Sequence, residues 1–205
     1  MAIKPILFNT EMVRAILKEK KKCTRRIVKP PYFVDGDEND KRSLITLRTA
    51  TKNSSLYRQI GQMPYPDAPY RINDILYVRE TWCKNPNYDE YYFRTRESGI
   101  APYGLKWRPS IHMPKEAARI WLKVTDVRVE RLQDMDWRDA LDEGVNTQFP
   151  RDKTGEYIFD ENPIDDFIEL WNSTIKKSDI DRYGWDASPW VWVIEFERCE
   201  RPEGV

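Results

Sequence analysis

Ile3 to Phe8 is a short apolar run and predicts a strand. Thr10 then reads as an N-cap. Met12, Val13, Ile16 and Leu17 recur at helical spacing on one face, which predicts a helix to about Lys20. Cys23 to Val28 predicts extended chain, ended by Pro30–Pro31. Ile75 to Trp82 (ILYVRETW) has strand composition and follows the turn signal Asn73–Asp74. Tyr91 to Arg96 is the next strand candidate, and Lys106 to Pro114, punctuated by two prolines, predicts a structured loop. Arg119 to Arg131 is rich in β-branched residues and predicts two strands joined by a bend at Val124, Val127 or Val129.

Asp136 to Glu143 predicts a short helix, with Asp134 or Asp136 as cap and Gly144 as its C-terminal signal. Asn162–Pro163 opens another, whose apolar stripe is Ile164, Phe167, Leu170, Trp171 and Ile175. In the final strand, PWVWVIEFERC, Trp190, Trp192, Ile194 and Phe196 form a core face; the alternate residues turn polar toward the C-terminal end. Strands, one early helix, and helices inserted before the last strand predict an α+β fold. Its centre is expected to be a small twisted β-barrel with peripheral helices. Residues 31–70 combine a charged, turn-rich stretch with Pro64, Pro66 and Pro69, and read as a long surface insertion in a single domain spanning 1–205.

Composition changes this picture in one respect. The 205 residues carry 34 Lys plus Arg and 34 Asp plus Glu, for a net charge of zero. The zero hides a segregation: residues 1–125 hold 24 basic and 13 acidic side chains, and residues 126–205 hold 10 basic and 21 acidic. Such an asymmetry points to a polyanionic partner for the basic half, unless the acids of the second half pair with it in the fold. The absence of an 18-residue apolar run excludes a membrane span, and the N-terminus lacks signal-peptide features. Cys23, Cys83 and Cys199 are odd in number and far apart, which predicts a reducing, cytoplasmic setting. A single histidine, His112, and no CxxC pair exclude sites built on several imidazoles; no metal and no cofactor is expected.

Candidate chemistry concentrates at the junction of the first helix with the following strand. Lys20, Lys21, Lys22, Arg25 and Arg26 place five cations in seven residues, a phosphate-gripping patch or a solvated helix end. Lys21 and Thr24 form a possible base–nucleophile pair, or a phosphate ligand beside a structural threonine. Glu80 faces the opposite side from Arg79 and is expected to pair with Lys21 or Arg26, as a functional carboxylate or a structural ion pair. Trp82, Trp107 and the tyrosines 88, 91 and 92 offer stacking surfaces or core. Arg108, Ser110 and His112 alternate in the Pro-bounded loop, where each could present a donor or general acid.

Four segments together, AILKEKKKCTRRIVKP, YRINDILYVRETW, KWRPSIHMP with RIWLKVTDVRVERLQDM, and WDASPWVWVIEF, resemble the ASCH family in its phage- and prophage-type branch. The resemblance fails only in the 31–70 insertion and around 146–160. It implies a PUA-like barrel, a cleft beside the first helix, and RNA or a modified nucleoside as ligand. A branch with a Lys-x-x-Thr-x-Arg motif hydrolyses N4-acetylcytidine with the Lys, the Thr and a later Glu, and some relatives are nucleases. Carried over, the motif is Lys21, Thr24 and Arg26, Glu19 stands at the usual Gly, and Lys123 stands at the usual Glu, leaving Glu80 to replace it. The resemblance therefore implies a binding protein, or an amidohydrolase or ribonuclease. The acidic, Trp-containing segment 160–187 supports a third reading, an interaction protein serving a phage or mobile element with no nucleic-acid ligand.

Overall fold

A computed structural model describes residues 1–28, 68–96, 100–145, 154 and 162–204. All but the last three residues of the expected insertion lie outside the described residues. The strands are β1 (Ile3–Leu7), β2 (Cys23–Ile27), β3 (Ile75–Arg79), β4 (Trp82–Asn85), β5 (Glu90–Phe93), β6 (Trp121–Arg131) and β7 (Trp190–Cys199). Five of them form a mixed sheet in the order β1-β3-β6-β7-β2, and β4 and β5 form a separate hairpin. β1 and β3 run parallel, and the other neighbours run antiparallel. The fold is α+β as expected, but no closed barrel is found among the described residues: β1 and β2 are the two edges of an open sheet. The Arg26 guanidinium on β2 does reach across, its Nη2 donating to the Leu7 carbonyl at 3.0 Å.

Helix α1 (Thr10–Leu17) starts where expected, but Asn9 rather than Thr10 is its cap, with Oδ1 accepting from the Met12 N–H at 2.8 Å. The helix stops about a turn early. Glu19 adopts φ 58, and the Lys20 and Lys21 N–H groups both bond back to the Ala15 carbonyl, which turns the chain toward the sheet. The Ile75–Trp82 run breaks at Glu80 into β3 and β4. The buried Glu80 carboxylate is anchored on Arg119 there, and the chain turns into the hairpin. The two strands expected in Arg119–Arg131 are one strand. Its bend is a bulge between Val124 and Asp126, and pairing with β7 continues on both sides.

Helix α2 (Trp137–Asp142) is capped by Asp136, whose Oδ1 accepts from the N–H groups of Arg138 and Asp139, both at 2.9 Å. Helix α3 (Pro163–Thr174) is capped by Asn162, and a short helix α4 (Ile180–Tyr183) follows. Both faces of the sheet are covered. The α1 side buries Ile6, Phe8, Val13, Ile16, Leu122, Ile194 and Phe196. On the other side Val191 and Val193, expected on the less buried face of β7, pack with Phe167, Trp171 and Ala140 under α2 and α3. The hairpin closes a third cluster through Trp82, Phe93, Met113 and Trp121. None of the described helices is long and apolar enough to cross a membrane.

Candidate functional site

The cation run at the α1–β2 junction does not stay on the surface. Alternation along β2 sends Cys23 and Arg25 to the α2 side of the sheet. The side chains of Lys21 and Arg25 are 0% exposed. Lys21 Nζ donates to Glu143 Oε2 at 2.6 Å and to the Glu143 carbonyl at 2.8 Å. Arg25 donates from Nε and Nη2 to Glu130 Oε1 at 3.2 and 2.6 Å and from Nη1 to Glu143 Oε1 at 3.3 Å; Asp139 Oδ2 stands 3.6 Å away. Arg128 on β6 completes the cluster, with Glu130 at 3.4 Å, Asp126 at 3.2 Å, Asp139 at 3.9 Å, and Glu195 in close contact.

The acids come from β6, from β7 and from α2 and its C-cap, so this cluster fastens the helix to the sheet. Burial alone would raise the Glu143 carboxyl, but the Lys21 and Arg25 charges outweigh it and hold the group below the usual carboxylate range. For Arg25, burial opposes the charge, and Glu143 and Glu130 more than compensate and push it up. The neighbouring Cys23 thiol is pushed up by burial and by Glu143, so it is not a poised nucleophile.

Lys21 and Arg25 are therefore ion-paired and sequestered, not open to a phosphate. Thr24 is buried on the opposite face, and its hydroxyl makes no hydrogen bond to Lys21. Glu80 pairs with neither Lys21 nor Arg26, contrary to expectation. It accepts from Arg119 Nε and Nη2 at 2.9 and 3.0 Å and from Thr95 Oγ1 at 2.8 Å. Lys123 is partly exposed and lies 3.9 Å from Glu197. Lys21, Thr24, Glu80 and Lys123 thus form no catalytic cluster among the described contacts. The tryptophans of the acidic segment 160–187 also turn inward: Trp171 donates to the Tyr183 carbonyl at 2.8 Å, and Phe167 lies 6.1 Å from Trp171 and 6.2 Å from Trp185.

What remains is a partly exposed strip from the C-terminal end of β1 to the 108–112 loop. Arg26 lies over the Phe8 ring at 5.5 Å and donates to the Leu7 carbonyl. Burial lowers this guanidinium from its usual value. Leu7 is register partner to Arg79 on β3, and Arg79 Nη1 donates to the Ile111 carbonyl at 3.1 Å. His112 follows directly and is exposed, and Ser110 precedes it, half-buried. Arg108 is exposed, bridges to Trp82 through the backbone, and covers its ring at 5.4 Å. Trp82 itself is 4% exposed, with Tyr91 5.7 Å away, so it supports Arg108 and offers no open stacking face. Trp107 is half-buried. Among the described residues no carboxylate pairs with Arg26, Arg79 or Arg108. The Arg79 Nε and Trp82 Nε1 atoms are buried without a hydrogen-bond partner.

Lys20 sits elsewhere, in a groove of ≈ 520 Å³ between α1 and α3. Arg14, Lys18, Glu11 and Asp166 also line this groove, so its charge is mixed. Lys22 is exposed beside Asp142 at 3.4 Å. Sequence reasoning missed Arg79, which belongs to the strip, and Arg128, Glu130 and Glu143, which consume the cation run. Arg128 and Glu130 did carry a signal, since two charges share one face of a Val-rich strand. Comparison with protein-family models, with curated proteins and with solved structures found no match to this chain.

Proposed function

We propose that this chain is an ASCH-type protein that binds RNA, with the phosphates on the strip formed by Arg26, Arg79, Arg108 and His112. The reading includes the PUA-like architecture that the resemblance implies, with the five-stranded sheet as its core. The observation that carries it is the sorting of charge. The carboxylates of Glu80, Glu130 and Glu143 are turned inward onto Arg119, Arg25 and Lys21, while Arg26, Arg79 and Arg108 keep no carboxylate partner among the described residues. Arginine in such a position can grip a phosphate bidentately. The net charge of zero gives little attraction at a distance, so recognition rests on this local surface.

An amidohydrolase or ribonuclease built on Lys21, Thr24 and Glu80 draws less support. Its ammonium is engaged by Glu143, and its carboxylate by Arg119. The test is titration of a labelled RNA at several salt concentrations with Arg79→Ala, Arg108→Ala and the double variant. Each loss is expected to weaken binding and to flatten the salt dependence by roughly 0.7 per phosphate contact removed. Unchanged affinity and slope in the double variant would refute the reading. Lys21→Ala is unsuitable for this purpose, because it strips Glu143 of a buried partner and perturbs folding.

A further inference from the structure

Three of the most exposed large hydrophobic side chains crowd into one stretch: Tyr88 at 77%, Ile100 at 78% and Tyr103 at 80%. They lie on the β4–β5 hairpin and the turn that follows it. Single exposed apolar residues need no explanation, but a concentration of them does. Tyr103 also sits at φ 56, a left-handed conformation that is costly for an aromatic residue and that Gly104 adopts next to it at φ 68. The chain holds this backbone yet gains no burial from it. The Tyr103 ring meets the Tyr92 ring edge-on at 6.0 Å. Register places Tyr92 opposite Cys83, on the face of the hairpin away from Trp82 and Phe93, so this tyrosine pair does not belong to the core beneath.

Along residues 84–108 five Lys and Arg stand against three Asp and Glu. Asp89 is taken by Lys84, and the Glu90 carboxylate accepts from the Tyr92 hydroxyl, which pushes that phenol up to about 12. Arg94, Arg96, Lys106 and Arg108 have no carboxylate partner among the described residues. Exposed aromatic rings on a stretch whose described acids, Asp89 and Glu90, are already engaged match a strand whose bases are unpaired and whose backbone is anionic. A duplex presents its bases stacked and edge-on in the grooves, and would leave the rings unused.

From this we infer that the ligand is single-stranded RNA, with unpaired bases stacking on Tyr103 and Tyr92 while its backbone continues over Arg108 onto the arginine strip. The inference rests on the RNA-binding reading above. It is tested on the full chain by anisotropy with a 10-nucleotide labelled RNA, alone and annealed to its complement, and with polyglutamate as a polyanion without bases. The proteins compared are wild type, Tyr103→Phe, Tyr103→Ala and Tyr103→Gly. The Gly variant removes the ring while suiting the left-handed backbone, so a folding defect cannot explain its loss.

Single strand is expected to bind at least tenfold tighter than duplex. Tyr103→Ala and Tyr103→Gly are expected to weaken single-strand binding roughly 5- to 150-fold, the range for losing one stacked base. They should leave the salt slope and duplex binding unchanged, and Tyr103→Phe should keep wild-type affinity. Equal binding of single strand and duplex, with no effect of Tyr103 variants, overturns this inference and leaves arginine-dependent RNA binding standing. Polyglutamate binding as tightly as the RNA also overturns it, in favour of an acidic protein partner. Absence of any RNA binding overturns both readings.

Discussion

Replacing Glu143 by glutamine keeps the shape of the side chain and removes its charge. In the folded protein that charge faces Lys21 at 2.6 Å and Arg25 at 3.3 Å, both with side chains 0% exposed. A glutamine oxygen can still accept from Lys21, but the amide nitrogen is then a donor aimed at the Arg25 guanidinium. Removing one partner of a buried pair costs about 3 to 5 kcal/mol. The low end applies here, because Arg25 keeps Glu130 and Lys21 keeps the Glu143 carbonyl. The expected loss is thus about 3 kcal/mol, which in a chain of this size lowers Tm by roughly 6–12 °C. Urea unfolding should show a lower midpoint with an unchanged m-value.

The same pair makes a pH prediction. The folded Glu143 carboxyl lies below its ordinary value of ~4.3, so its stabilisation is complete above that pH and is lost as pH falls through the lowered folded value. The gap between wild type and Glu143→Gln should therefore be constant near neutrality and close below about pH 4. Asp126, held above its usual range by burial and by Glu195, works in the opposite direction and softens the acid limb of wild type and variant alike. A loss below about 1 kcal/mol at neutral pH, or a gap that widens in acid, would refute the reasoning.

Glu19→Gly is expected to stabilise the fold by about 1 kcal/mol, because Glu19 is exposed at φ 58 at the end of α1, where glycine carries no steric penalty. A higher Tm in a thermal melt checks it, and a lower one contradicts the left-handed cap. Gly144→Ala is expected to cost about 1 to 3 kcal/mol or more. Gly144 sits at φ 84, and an added Cβ would stand 2.8 Å from the Cβ atoms of both Ala15 and Lys21. Chemical denaturation measures this loss, and a neutral result would mean that the α1–α2 contact is looser than described.

Local chemistry made most elements legible. The cap at Asp136, one of the two candidates, the cap at Asn162 and the stop at Gly144 depend on neighbours a few residues away, and they appear in the fold where the pattern put them. Boundaries failed where a distant group intervened. Glu80 broke a continuous apolar run because Arg119, 39 residues on, holds its carboxylate. The arginine strip was half legible: Arg26, Arg108, Ser110 and His112 carried signals, but nothing in the local pattern joined Arg79 to them.

The sequence by itself determined the order and type of most elements and the separation of charge into a basic and an acidic half, since periodicity and composition are properties of the chain. Only the tertiary structure decided what that separation is for. Five clustered cations look like an open surface as long as their neighbours along the chain are considered. Lys21 meets Glu143 across 122 residues and Arg25 meets Glu130 across 105, so the acidic half neutralises the middle of the run from inside. Whether a charge is solvated or buried depends on what packs over it, and that is settled by the fold. Arg26, Arg79 and Arg108 are among the cations that keep no carboxylate partner among the described residues, because the acids of the second half pack against other groups.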